Sequence, residues 1–457
     1  MHMTRRDLLR TMGAGFPLVG FAGQAASSGG PLAVKPTHHR AKARHVIFLF
    51  LNGGPSQVDT FDPKPALAKH HGKPIPSGNL KTERRTGALL ASPFQFPRFG
   101  ASGLEISEIF ARMGAYADDL CVIRSMYTER PNHEPSLLLL NCGQRLPGHP
   151  SMGSWLTYGL GSESQNLPGF VVLCPGLPVL GPILWTASYL PGVYQGTHIP
   201  NNERDIDKLV PNVRNTRHDP AAQRRQLELL GKLNLGQLQR EGPDPQLEAG
   251  IQAMEIAFRM QAEAAEVFDV TRESEKTRER YGDTDFARGC LMARRLVERG
   301  VRMVQVYYGN GQPWDNHDDI LIHRRLAADA DRAIAALLGD LRSRGLLGET
   351  IVVIGGEFGR TPSVEVSGLV KVQNGRDHNS HGFSTVVAGG GFKGGLAYGA
   401  TDEFGFQAVE KRMNVHDLHA TMLHLLGLDH TRLTYRYSGR DFRLTDVHGT
   451  VVRDILA

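Results

Sequence analysis

Cysteine is scarce in this chain. Cys121, Cys142, Cys174 and Cys290 are widely spaced and include no C-x-x-C pair. That excludes a thiolate zinc knot and a disulfide-dense scaffold, leaving buried thiols or at most two disulfides. No stretch reaches the roughly 20 consecutive apolar residues a spanning helix needs, so no membrane span is expected. Runs of lysine and arginine are also missing. With a formal charge of only +5, the chain lacks the basic footprint of a nucleic-acid binder. What is plentiful is apolar content, 40% over 457 residues, enough for a large buried core and too much for a disordered chain.

The opening string MTRRDLLRTMGAGFPLVGFAGQAASSGG sets Arg5 and Arg6 before a glycine-rich apolar stretch at 12–22, followed by small residues Ala25, Ala26 and Ser27. Charge, apolar segment and small-residue site in that order predict a twin-arginine export signal over residues 1–27. The expected mature chain, 28–457, is then periplasmic or secreted and leaves the cytoplasm already folded.

HVIFLFL, residues 45–51, is a continuous apolar run stopped by Asn52-Gly53-Gly54-Pro55, the pattern of a strand buried on both faces. Apolar runs at 120–123, 170–173, 301–308, 350–354 and 384–388 read as further strands. Between them the period becomes 3.6. Phe286, Cys290, Leu291, Ala293 and Val297 share one helical face ahead of Gly300, and Leu326, Ala330, Ala333, Ile334, Leu337 and Leu341 share another ahead of Gly345. Helix, short loop and strand in succession predict an α/β fold, a mostly parallel central sheet flanked by helices. Residues 201–281 are charged and helical in pattern. They read as a helical insertion or cap within a single domain, with a solvated outer face.

In such a sheet ligands gather beyond the carboxyl ends of the strands. The loop after residues 45–51 offers Ser56, Asp59 and Asp62; the strand at 301–308 leads to Asp315 and His317; the strand at 350–354 leads to Glu357 and Arg360. The loop GRDHNSHG adds Asp377, His378 and His381 just before the next strand. Each alone has a plain explanation as a turn, cap or ion pair. Together they form a mixed histidine and carboxylate set, which suits zinc, manganese or iron better than calcium. Metal ions of that kind serve ester hydrolysis.

HVIFLFLNGGPSQVDTFDPKP, the WDNH string, GGEFGRTP and GRDHNSHGFSTVVAGGG together resemble the exported domain of unknown function family 1501, which groups with the sulfatases in the alkaline phosphatase superfamily. RGLLGETIVVIGGEFG resembles the sulfatase strand that carries a metal-binding acid, and VHDLHATMLHLLGLD the late helix. The resemblance implies that fold, and its departures matter as much as its matches. Sulfatases place paired aspartates at the end of the first strand, where this chain has Gly53 and Gly54. His133, in His133-Glu134-Pro135-Ser136-Leu137, stands where the cysteine that becomes formylglycine would be, which excludes the usual sulfatase mechanism. Glu357 matches an aspartate of the relatives, and Phe358 an asparagine or histidine.

The leading expectation is a metal-dependent hydrolase of sulfate or phosphate esters, on a small-molecule or glycan substrate. Asp315, His317, Glu357, Asp377, His378, His381 and Asp59 are its candidate ligands. Water activated by the metal would replace the covalent nucleophile, with Ser56 in reserve, His133 as general acid or base and Arg360 as a charged fork for the substrate oxyanion. The other reading is an exported binding protein that keeps the fold, has lost catalysis, and holds a polyanion such as a sulfated glycan.

Overall fold

The computed structural model of the chain describes residues 31–76, 78, 80–210, 219–242 and 245–457. The export signal expected over 1–27 lies outside the described residues. Strand His45–Phe50 forms as its sequence predicts, and alternate residues enter two different cores: Ile47 and Leu49 on one face, Val46, Phe48 and Phe50 on the other. A strand with apolar side chains on both faces is stable only in the middle of a covered sheet. It lies between Met303–Tyr307 and Thr350–Gly355, parallel to both.

The nine-stranded sheet runs in the spatial order Leu396–Tyr398, Leu120–Tyr127, Phe383–Ala388, Thr350–Gly355, His45–Phe50, Met303–Tyr307, Phe170–Leu173 and Thr197–Ile199, with Met413–Asn414 beside Leu120–Tyr127. Every pairing is parallel except the two made by Phe383–Ala388. The α/β fold with a mostly parallel sheet is therefore as the sequence predicts. A smaller antiparallel sheet joins Arg376–Asn379, Gly359–Glu365 and Thr86–Leu89. It begins four residues beyond Thr350–Gly355, at the carboxyl edge of the main sheet.

Helix Asp285–Val297 is capped by Thr284, whose side chain accepts from the Ala287 N–H, and Gly300 turns the chain at a φ of 81°. Helix Ile322–Ser343 buries the face anticipated from its period. Within 201–281 the described residues form helices Ile206–Leu209, Pro220–Glu241, Pro245–Val267 and Glu275–Tyr281; Ala264, Val267, Phe268 and Tyr281 enter the core. All four cysteines are free and buried; burial pushes the Cys121 and Cys142 thiols up to about 12. Of the two expectations for them, inert thiols hold and disulfides do not. Among the described residues no helix is long and apolar enough to cross a membrane.

Candidate active site

The first strand stops in a loop so close to its neighbours that side chains have no room. Gly53 has a φ of 115°, and a Cβ there would lie 2.5 Å from the backbone nitrogen of Asp315; at Gly54, with a φ of 79°, it would lie 2.8 Å from the Phe358 ring. Both conformations favour glycine. The positions matched to the paired sulfatase aspartates thus serve another purpose here: they let backbone pass. The Gly53 N–H donates to both Glu357 carboxylate oxygens, at 3.1 and 3.2 Å.

Asp315, on the loop after Met303–Tyr307, is the hub. Its Oδ1 accepts from Arg360 at 2.6 Å and lies 2.8 Å from Nε2 of His317 and 3.0 Å from Nε2 of His378. Its Oδ2 is 3.4 Å from Nε2 of His133, the first residue of helix His133–Cys142. Each of these three rings is held from behind by a carboxylate on Nδ1: His133 by Glu357 at 2.6 Å, His378 by Glu83 at 2.5 Å, and His317 by Glu365. Phe358 packs against two of the rings, 4.8 Å from His133 and 4.6 Å from His378, which themselves meet edge to face at 4.3 Å.

The remaining expected residues are placed elsewhere. Ser56 is fully buried and donates to Asp59 at 2.5 Å, and Asp59 pairs with Arg376 at 2.7 Å, both side chains wholly enclosed. Ser56 and Asp59 form a structural pair that does not reach the hub. His381 contacts the Lys81 carbonyl through Nε2 at 3.1 Å, away from the cluster. Asp377 accepts from the Arg84 N–H at 2.6 Å and belongs to a neighbouring group with His317 and Glu365. Glu357 stands behind His133 and accepts from Gly53. The Arg360 fork is also enclosed: it donates to Gly54 O at 2.9 Å, to Gly53 O and to Asp315. The expectation that it faces a substrate oxyanion gives way to a strut for Asp315, because its donors are taken by the protein. Sequence reasoning missed Glu83 and Glu365, since an acid in KTERRTG or TPSVEVSG carries no periodic or motif signal of its own.

A family model described as protein of unknown function (DUF1501) matches residues 43–456. The chain belongs to the DUF1501 family. Similar solved structures include the PsFucS1 sulfatase from Pseudoalteromonas sp., at 12% identity over 92% of this chain and 72% of that one, with a TM-score of 0.38. The lipoteichoic acid synthase LtaP from Listeria monocytogenes is 9% identical over 91% and 78%, with a TM-score of 0.35. The phosphonate monoester hydrolase SpPMH from Silicibacter pomeroyi is 11% identical over 85% and 73%, with a TM-score of 0.34. Likeness at this level carries no chemistry across. No curated protein matches the chain significantly.

The electrostatics of this DUF1501 site favour positive charge at its centre. Burial works against the charged form of His133, but Asp315 and Glu357 outweigh it and raise the ring to about 9. Burial alone would raise Asp315; the Arg360 charge and the His133, His317 and His378 rings around it hold its carboxyl well below the usual range instead. A neutral imidazole that donates Nδ1–H to a carboxylate turns a lone pair outward on Nε2. Here Nε2 of His317 and of His378 lie 3.0 Å apart, and Nε2 of His133 is buried without a hydrogen-bond partner. Donors of His133, Asp315 and His378 all lie within 4.8 Å of one another. Nitrogen and oxygen donors converging in this way, each ring backed by a carboxylate, fit a divalent transition ion.

Proposed function

We propose that this protein is an exported, metal-dependent hydrolase of sulfate or phosphate esters. The observation that carries the reading is the convergence of three carboxylate-backed Nε2 atoms on one Asp315 carboxylate. His133, Asp315, His317 and His378 would hold the ion, zinc, manganese or iron in keeping with the donor set. When bound there, such an ion supplies Lewis acidity to an ester oxygen and lowers the pKa of water. The chain's own residues do the rest. Glu357, Glu365 and Glu83 fix the tautomer and aim of the rings, Arg360 holds Asp315, and Phe358 packs against the His133 and His378 rings. Ser56, enclosed with Asp59, is not available as a nucleophile. An ester can approach along the edge where the side chains of Asp315 and Glu83 are 22% and 30% exposed. Export over residues 1–27 is supported by the sequence pattern, and an ester on a glycan suits an extracytoplasmic location.

The test is metal analysis of the native mature chain, paired with turnover of aryl sulfates, phosphate monoesters and phosphodiesters. The expected result is about one ion per chain or more, turnover stopped by chelators, and loss of metal with retained fold in Asp315→Ala and His378→Ala. A native protein without a stoichiometric ion would overturn the proposal. So would sulfated-glycan binding that survives chelation with no turnover, the signature of a binding protein.

A further inference from the structure

Helices Ile206–Leu209, Glu275–Tyr281, Asp285–Val297 and Ile322–Ser343, with the turn Val270–Arg272, wall a cavity of about 790 Å³. None of the residues gathered around Asp315 lines it. Its apolar wall is Ile206, Leu209, Phe268, Val270 and Leu291. Leu209, Phe268 and Leu291 belong to the main core, so the cavity reaches down to core side chains. A concave space of about 300 to 1,000 Å³ with apolar walls and a few fixed polar groups is the form that small-molecule sites take.

The polar group that sets this cavity apart is Arg288, in the first turns of helix Asp285–Val297 and only 7% exposed. Its Nη2 donates to the Glu203 carbonyl at 2.8 Å, while Nε and Nη1, both buried, have no hydrogen-bond partner among the described residues. Glu203, Asp283 and Asp285 attract the guanidinium, but none is close enough to pair with it. The Glu203 carboxylate accepts from the N–H groups of Arg204 and Asp205 at 2.8 and 3.0 Å, and Asp283 pairs with Arg204 at 3.2 Å. Burial first and the Arg204 charge second push Arg288 below its ordinary value, against the pull of those three acids. A buried charge is costly unless it is paired and hydrogen-bonded. The whole lining holds four arginines and five acids, so net charge does not choose an occupant; the unpaired guanidinium does.

We propose that this cavity is a second binding site, for a small organic anion that joins an apolar body to one sulfonate, sulfate or carboxylate head. The head supplies the counter-charge that Arg288 lacks, since a guanidinium matches an oxyanion with its donor fork. The body covers Leu209, Phe268 and Leu291, and removing that apolar surface from water adds to the affinity. An inorganic anion would answer the charge and leave the apolar wall wet. An uncharged ligand would cover the wall and leave the guanidinium unpaired. Only the two together satisfy both parts of the lining. The site goes beyond the hydrolase reading and does not depend on it, because the cavity and the Asp315 cluster share no residue.

The experiment is fluorescence titration of the mature chain with 8-anilinonaphthalene-1-sulfonate and with N-phenyl-1-naphthylamine, which has the same rings without the charge. Melting temperature is the control for folding. The native chain should show one saturable site for the sulfonate. Arg288→Met keeps an unbranched apolar stem and removes the cation; it should weaken the sulfonate by about tenfold or more and change the uncharged probe by less than about twofold. Val270→Trp, which puts a large ring where a partly buried valine lines the cavity, should weaken both probes. Leu229→Ser, on an exposed leucine of helix Pro220–Glu241, should leave both unchanged. A native chain with no saturable site, Arg288→Met that binds the sulfonate as tightly as native, or displacement of the probe by an equal concentration of inorganic sulfate would each overturn the proposal. So would loss of the sulfonate site in Leu229→Ser, which would mark adhesion to exposed leucines. Should Arg288→Met fail to fold, Val270→Trp decides, and native affinity for the sulfonate in that variant overturns the proposal.

Discussion

Replacing the carboxylates behind the three imidazoles one at a time tests whether the cluster is built for an ion or is a buried hydrogen-bond network. Glu357→Gln, Glu365→Gln and Glu83→Gln each keep an oxygen that can accept from Nδ1–H while removing the charge that makes the ring a better donor. Loss of such a partner costs about 10- to 100-fold in metal affinity, roughly 1.4 to 2.7 kcal/mol. The structure ranks the three. The Glu357 and Glu365 side chains are 0% exposed and Glu83 is 30% exposed, and charge interactions weaken where water screens them. Glu357→Gln and Glu365→Gln should fall near the upper figure and Glu83→Gln near the lower. Competition against a chromophoric chelator, with metal content of the dialysed protein as a check, measures all three. The reasoning fails if the folded variants bind metal as tightly as the native chain, or if Glu83→Gln loses the most.

Asp59→Asn should destabilise the fold by about 3 to 5 kcal/mol, because it leaves the enclosed Arg376 guanidinium unpaired, and should leave metal content unchanged; urea unfolding and metal analysis check the two halves. Burial pushes His323 and His419 down to about 3 from 6.5. Between those values the unfolded chain takes up protons that the native state refuses, so the stability is full above about 6.5 and is lost as pH falls, by about 1.4 kcal/mol per pH unit for each ring. His419→Gln keeps a donor for the Leu140 carbonyl and should remove about half of that slope in unfolding curves from pH 7 to 4; an unchanged slope would refute it. Gly53→Ala forces a Cβ against the Asp315 backbone at positive φ, which should cost at least about 2 kcal/mol and lower metal occupancy. Full stability with full occupancy in that variant would show that the close approach is not needed.

The central strands, the two helices ahead of Gly300 and Gly345, and the mostly parallel sheet were legible in the sequence because each depends on a local period: continuous apolar runs for strands covered on both faces, a 3.6-residue repeat for helices. The same reading named most of the residues gathered around Asp315, since a parallel sheet presents its strand ends on one edge and Asp315, His317 and Glu357 follow strands; His378, expected in a loop, lies within the short strand Arg376–Asn379. It also assigned His133 to the site, from the place of the missing cysteine. What it could not do was sort ligands from supports. Asp59 and Ser56 carry the right chemistry at the right strand end, but Arg376, 317 residues on from Asp59, takes the carboxylate, and the hydroxyl goes with it. Glu83 and Glu365 look like ordinary surface acids until folding sets them behind His378 and His317. The sequence by itself determined which residue types reach the carboxyl edge of the sheet. Which nitrogen of each ring faces the centre, and which carboxylate stands behind it, was decided only by tertiary structure, because those pairings join atoms 48 to 295 residues apart and depend on angstrom-scale direction that no local pattern encodes.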